Sequence, residues 1–294
     1  MKVSSNKAID IYKHYRLVLT DLYDETEAES MIAILFEELV DLKRHEILSD
    51  TSRRLSESEL LKIHFAVKDL LRNKPLQYIV GNAWFYGEKF IVNESVLIPR
   101  RETEELCNWI IDENKDFVGQ DNKLKILDIG TGSGCIAITL KKQLRDAMLY
   151  ALDISENALK IAEENAINIG AEVSFICTNI LDTFVTKALS TFDIIVSNPP
   201  YVRNSEKKQM NANVIDFEPH LALFVTDENP LIYYEMISDF ALSHLNKGGV
   251  LYFEINEYLS LNLKNILSDK GFILIEIRTD MQNKPRMLKC KLPN

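Results

Sequence analysis

Leu124-Lys125-Ile126-Leu127-Asp128-Ile129-Gly130-Thr131-Gly132-Ser133-Gly134 decides the fold of this chain. Its first half is an apolar run of strand length. Three glycines at alternate positions follow, and they let the backbone turn sharply and approach a ligand without Cβ contacts. Cys135 to Gln143 then reads as a helix. The helix N-terminus offers unpaired N–H donors and the positive end of a dipole. The next strand, Met148 to Leu152, leads to Asp153. An acidic residue about 20 positions beyond a glycine loop is placed to hold a ribose diol. The spacing is G-x-G-x-G, not the dinucleotide form G-x-G-x-x-G. It suits a nucleoside without a pyrophosphate, such as S-adenosylmethionine.

Strands and helices keep alternating outward from this loop. Asn157 to Asn168 reads as a helix, and Val173 to Cys177 and Phe192 to Ser197 as strands. After a long loop come a helix over Leu231 to Leu245, the strand Val250 to Glu254, a helix near 258–269, and strands near 272–278 and 286–292. Repeated βαβ units predict a doubly wound, mostly parallel sheet, here of seven strands. Ligands of such sheets bind along the carboxyl edge. Asn179 falls on that edge and could read an adenine amino group, or be a plain turn residue.

The amino-terminal part differs. Residues 5–72 read as helical throughout, with apolar stripes at Ile9, Tyr12, Leu17 and Leu19 and at Met31, Ile32, Leu35, Phe36, Leu39 and Val40. Ser56-Glu57-Ser58-Glu59 has the pattern of a capping box before a third stripe. His64 lies on or near that stripe and reads as a core or boundary residue. Pro75 ends the unit, Pro75 to Gly81 reads as linker or strand, and Trp84 to Val92 as a hairpin around Gly87. The expected organisation is a helical domain over 1–74, a linker with β-hairpin over 75–101, and an α/β domain over 102–294.

The second telling stretch is Asn198-Pro199-Pro200-Tyr201, directly after the buried strand Phe192 to Ser197. Neither proline can donate to a sheet ladder, and each restricts the residue before it. Asn198 and the neighbouring carbonyls are thereby held at a strand end beside an aromatic ring. Such a site can accept two hydrogen bonds from a flat –NH2 group, so Asn198, Pro199 and Tyr201 are candidate catalytic residues. With Pro200 they are also candidate substrate-binding residues. Gly130, Thr131, Gly132, Ser133, Gly134, Asp153 and Asn179 are the candidate cofactor-binding residues.

Composition bounds the rest. The 294 residues are 46% hydrophobic and 27% charged, with a net charge of −10. The acidic balance argues against broad nucleic-acid binding, which needs Lys and Arg to neutralise phosphates. No apolar run approaches the roughly 20 residues of a membrane span, and Met1 to Asn6 lacks a signal-peptide core. Cys107, Cys135, Cys177 and Cys290 form no CxxC pair. No metal is expected, and the reducing cytoplasm fits.

The two motifs together resemble class I S-adenosylmethionine-dependent methyltransferases of Rossmann-like fold. The Asn-Pro-Pro-Tyr form resembles those acting on planar nitrogen. Pro75 to Gly81, Trp84-Phe85-Tyr86-Gly87, Leu97-Ile98-Pro99-Arg100, Glu102-Thr103-Glu104, Phe217-Glu218-Pro219 and Asn246-Lys247-Gly248-Gly249 resemble the PrmC/HemK family of peptide chain release factor glutamine methyltransferases. The resemblance runs from about residue 75 to the end, and that family also carries a small N-terminal helical domain. It implies methyl transfer from S-adenosylmethionine, leaving S-adenosylhomocysteine. The acceptor it implies is the glutamine amide in the Gly-Gly-Gln loop of class 1 release factors. From the charge and the apolar runs, no direct nucleic-acid partner and no membrane are expected. The competing reading is an adenine-N6 methyltransferase on DNA or RNA, which needs the same nitrogen chemistry after base flipping. Four positions depart from the family pattern: Arg101 for a proline, Ile180 for an aromatic, Asp216 for an arginine, and Asn283 for the glycine of Asp-x-x-Gly-x-x-Arg.

Overall fold

In the computed structural model, residues 5–117, 123–182 and 189–294 are described; Met1–Ser4 of the amino-terminal segment lie outside them. The chain divides into two units, Met1–Gly81 with Asn211–Phe217, and Asn82–Met210 with Glu218–Asn294.

In the first unit, helices α1 (Ala8–Leu19), α2 (Glu25–Val40), α3 (Arg44–Ser49) and α4 (Glu57–Leu70) bury one core. Ile11, Leu19, Ile32, Leu35, Phe36, Ile63 and Leu70 fill it. The capping box is present: the Glu59 N–H donates to Ser56 Oγ at 3.3 Å, and the Ser56 N–H donates to a Glu59 carboxylate oxygen at 2.7 Å. Leu17 is exposed, because a helix turning 100° per residue cannot bury it together with Tyr15 and Leu19. His64 is exposed as well, at the rim of the core, where its Nδ1 lies 2.8 Å from the Tyr15 hydroxyl. Leu76–Val80 is a fifth helix, α5, and not a linker or strand. Pro75 before it has φ −55°, a ready-made helix entry, and Gly81 ends it in the left-handed region at φ +76°.

The second unit is built on seven strands: β3 (Lys125–Ile129), β4 (Met148–Asp153), β5 (Val173–Cys177), β6 (Phe192–Ser197), β9 (Leu245–Glu254), β10 (Ile273–Thr279) and β11 (Pro285–Lys291). Their order is β10-β11-β9-β6-β3-β4-β5. All neighbours are parallel except the pairs made by β11. The hairpin β1 (Asn82–Phe85) and β2 (Glu88–Ile91) precedes the sheet in sequence. A short parallel pair, β7 (Val202–Arg203) and β8 (Phe224–Val225), lies in the excursion after β6.

The central strands read as continuous apolar runs because helices cover both faces. Ile194 and Val196 join Ile126 and Tyr252 in the core beneath α6 (Arg101–Asn114) and α7 (Cys135–Gln143). Ile195 turns the other way, with Leu127, Leu251 and Phe253, toward the helices Ile232–His244 and Ser260–Asp269. From β3 the chain first adds β4 and β5 on one side, then crosses to add β6 and β9 on the other. The crevice between the carboxyl ends of β3 and β6 is therefore the switch point where such sheets bind ligands.

Candidate active site

The glycine loop leaves β3 at this switch point. Gly130 and Thr131 donate their N–H groups to the Leu152 carbonyl at 2.8 and 3.0 Å, tying the loop to β4. Gly130, Gly132 and Gly134 all have positive φ. At Gly134 space is short too: a Cβ would stand 2.9 Å from Ile138 Cδ1 and 3.1 Å from Ala162 Cβ. Helices α7 and α8 (Glu156–Ile169) approach each other closely there because Gly134 has no side chain. Asn165, on α8, donates to the Ser133 carbonyl at 2.9 Å and to the Ile91 carbonyl at 3.0 Å. It accepts the Ile91 N–H at 2.6 Å, so one fully buried amide fastens loop and hairpin together.

Two carboxylates flank the loop. Asp153 accepts the Gly132 N–H at 2.9 Å and the Ser155 N–H at 2.9 Å. Burial raises its pKa, and these backbone bonds oppose that shift. Asp128 is fully buried and accepts the Thr131 hydroxyl at 2.6 Å through Oδ2. Burial pushes its pKa up to about 7.

A cavity of about 350 Å³ opens above the switch point. Gly130–Ser133 lie along one side, Asp153–Ser155 and Asn179–Leu181 along a second, and Asn198–Pro200 along a third. Leu97, Pro99 and Arg100, with Pro219, Leu221 and Ala222, complete the wall. Glu218 ties these last two segments, accepting from Arg100 Nη2 at 2.5 Å and from the Ile98 N–H at 3.4 Å. Asn179 Oδ1 accepts the Leu181 N–H at 2.9 Å, which shapes the turn after β5. Ile180, 8% exposed, lines the wall beside it.

At the end of β6, the Ser197 hydroxyl donates to the Ile129 carbonyl at 2.7 Å and locks the two strand ends together. Asn198 donates through Nδ2 to Thr103 Oγ1 at 3.3 Å. Thr103 donates in turn to Glu254 Oε2 at 2.6 Å, and the Tyr201 hydroxyl donates to Glu254 Oε1 at 3.0 Å. Tyr201 is not on the cavity wall; its ring packs against the sheet core and its hydroxyl faces Glu254. Burial first, then the Glu254 charge, raises its pKa. Burial also raises the pKa of Glu254, against the hydrogen bonds from Thr103 and Tyr201.

The structure thus gathers Gly130 to Ser133, Asp153, Asn179 and Asn198 to Pro200 around one cavity, with Gly134 behind it as a packing glycine. Sequence reasoning missed Thr103, Asn165 and Glu254 as parts of this apparatus. Thr103 stood inside the family-like segment Glu102-Thr103-Glu104 without an assigned role, and Glu254 carried a signal as a charged residue closing the apolar run Val250 to Phe253. Among the described residues, no group of acidic, histidine or cysteine side chains could hold a metal ion, and no helix is long and apolar enough to cross a membrane.

Sheet order, glycine loop and switch-point cavity define a class I methyltransferase. The family model of the methyltransferase small domain matches residues 115–218, and that of the PrmC N-terminal domain matches residues 10–81. A methyltransferase from Pyrococcus furiosus, solved by crystallography, shares the fold with a TM-score of 0.52 at 17% identity, over 77% of this chain and 98% of that one. The chain is 44% identical to the release factor glutamine methyltransferase of Flavobacterium psychrophilum, over 95% of this chain and 98% of that protein. It is 39% identical to that of Bacteroides thetaiotaomicron, over 95% and 98%. The chain belongs to the release factor glutamine methyltransferase family.

Proposed function

We propose that this chain transfers a methyl group from S-adenosylmethionine to the side-chain amide nitrogen of the glutamine in the Gly-Gly-Gln motif of class 1 peptide chain release factors, in the cytoplasm. The observation that carries this reading is Asn198. Its amide nitrogen is already donated to Thr103, which leaves Oδ1 as an acceptor at the wall of the cavity. The names of the relatives and the −10 charge favour a protein glutamine over a nucleobase.

The cavity fits the cofactor in size and chemistry. Ligand sites of about 300–1,000 Å³ with few polar groups are usual for such molecules. Asp153 retains lone pairs beyond its two backbone bonds and would hold the ribose hydroxyls. The exposed Ile154 and the buried Ile180 would cover the faces of the adenine, with Asn179 at its edge. Gly130 to Ser133 would bring the loop backbone to the amino-acid end. When bound, S-adenosylmethionine supplies a methyl group already activated on a sulfonium.

The protein's task is to position a poor nucleophile, since an amide lone pair is delocalised. Asn198 Oδ1 accepts one amide hydrogen and the Pro199 carbonyl the other. Two prolines in a row present no N–H that would repel an –NH2 group. Holding both hydrogens aims the nitrogen and stabilises positive charge as it builds there. Tyr201 fixes the motif from behind by its bond to Glu254. The surplus proton leaves to solvent afterwards.

Labelled cofactor offered with a release factor and duplex DNA in one tube tests the assignment. Label on the release factor is expected; label on DNA alone would replace this reading with the adenine-N6 one.

A further inference from the structure

The polarity of the Asn198 amide is decided by a residue in another strand. Ser197 pairs with Phe253 in the parallel β6–β9 ladder, so Asn198 and Glu254 leave the sheet side by side. Glu254 is 1% exposed and Thr103 2%. The Thr103 and Tyr201 hydroxyls each face a different Glu254 oxygen as donors, and a threonine hydroxyl has one proton to give. Thr103 gives that proton to Glu254 Oε2 at 2.6 Å, so it can only accept from Asn198. Asn198 must then turn Nδ2 toward Thr103, which leaves Oδ1 for the ligand. The other oxygen, Oε1, takes the Tyr201 hydroxyl, so one carboxylate holds both ends of the Asn-Pro-Pro-Tyr motif. Glu254 is itself fixed: the Tyr234 hydroxyl donates to its backbone carbonyl at 3.0 Å, while the nearby Arg286 charge offsets part of the cost of its burial.

We propose that Glu254, acting through the Thr103 hydroxyl, is the positioning residue that sets which end of the Asn198 amide meets the substrate nitrogen. Reversed, the amide would present its NH2 to another NH2, and neither could accept. The inference rests on the reading that Asn198 accepts a hydrogen from the substrate amide.

Thr103→Val keeps the shape and removes the hydroxyl. Thr103→Ser keeps the hydroxyl. Glu254→Gln gives one donor end to a site that needs two acceptors. Steady-state methylation of a release factor is expected to show kcat about ten- to a hundredfold lower in Thr103→Val and Glu254→Gln. KM for the release factor and the cofactor Kd should stay within about twofold, and Thr103→Ser should recover most of kcat. Independently of activity, the Asn198 side-chain amide protons, identified by their loss in Asn198→Asp, should exchange slowly in the parent and faster in Thr103→Val. Equal kcat and equal exchange in parent and Thr103→Val would overturn the proposal. So would a Thr103→Ser variant as impaired as Thr103→Val, which would make shape and not the proton decisive. A parent that methylates no release factor, yet shows the slow exchange lost in Thr103→Val, would refute the proposed substrate and support the relay.

Discussion

Asn198 and Asp128 are polar groups of this site in opposite settings. Asn198 is half-buried and donates to Thr103, so in the proposed reaction its truncation would remove an interaction that matters only when the substrate nitrogen is present. Asn198→Ala is expected to lower methyl transfer by about 100-fold or more. The cofactor Kd measured by calorimetry should be nearly unchanged; parallel losses in both would remove Asn198 from the transfer step. Asp128 is a buried acid, its carboxyl pushed up to about 7 in the folded chain. The ordinary Asp value is about 4. Between these values the folded state holds a proton that the unfolded state has lost. Its contribution to stability is therefore full below the unfolded value and is lost as pH rises through about 7. Thermal melts of the cofactor-free protein from about pH 5 to about pH 8 should fall less steeply in Asp128→Asn than in the parent. Identical slopes would contradict this account.

The elements place these residues by simple means. Parallel register sets Asn198 beside Glu254, and the reversal of strand order at β3 and β6 opens the crevice that both motifs share. Leu97, Pro99 and Arg100 with Pro219, Leu221 and Ala222 form one wall of the cavity, and their link is the Glu218 carboxylate, almost wholly buried. Glu218→Gln preserves shape but removes the charge facing Arg100. We expect cofactor affinity to weaken about tenfold by calorimetry, because the wall loses its charge-assisted bond. An unchanged Kd would show that the wall stands without it. Two departures from the family pattern are explained at this scale. Arg101 is the first residue of α6, where a proline is tolerated but not needed. Asn283 sits in the β10–β11 turn at φ +61°, and asparagine is among the few residues other than glycine that accept the left-handed region. Its N–H donates to the Asp280 carbonyl at 2.8 Å, so the turn is closed without a glycine.

Across the whole molecule, what was legible in the sequence was local. Strand runs, the glycine loop and the Asn-Pro-Pro-Tyr stop are patterns within a few residues, and each stands near where its periodicity put it. Leu76–Val80 was not legible as a helix, because five residues between a proline and a glycine hold too few turns to show a period. Thr103 and Glu254 were not legible as a pair, because 151 residues separate them and only the sheet brings them together. Asn165 looked like one more polar residue on α8, yet it fastens the glycine loop to the hairpin. Fold, cavity and relatives converge on methylation of one glutamine. Mass spectrometry of the Gly-Gly-Gln peptide, from a release factor incubated with S-adenosylmethionine with and without this protein, tests it most directly. The expected result is the added mass of one methyl group on that glutamine, only in the presence of the protein and lost with Asn198→Ala. An unmodified glutamine, or a methyl group on any other residue of the release factor, would contradict the account.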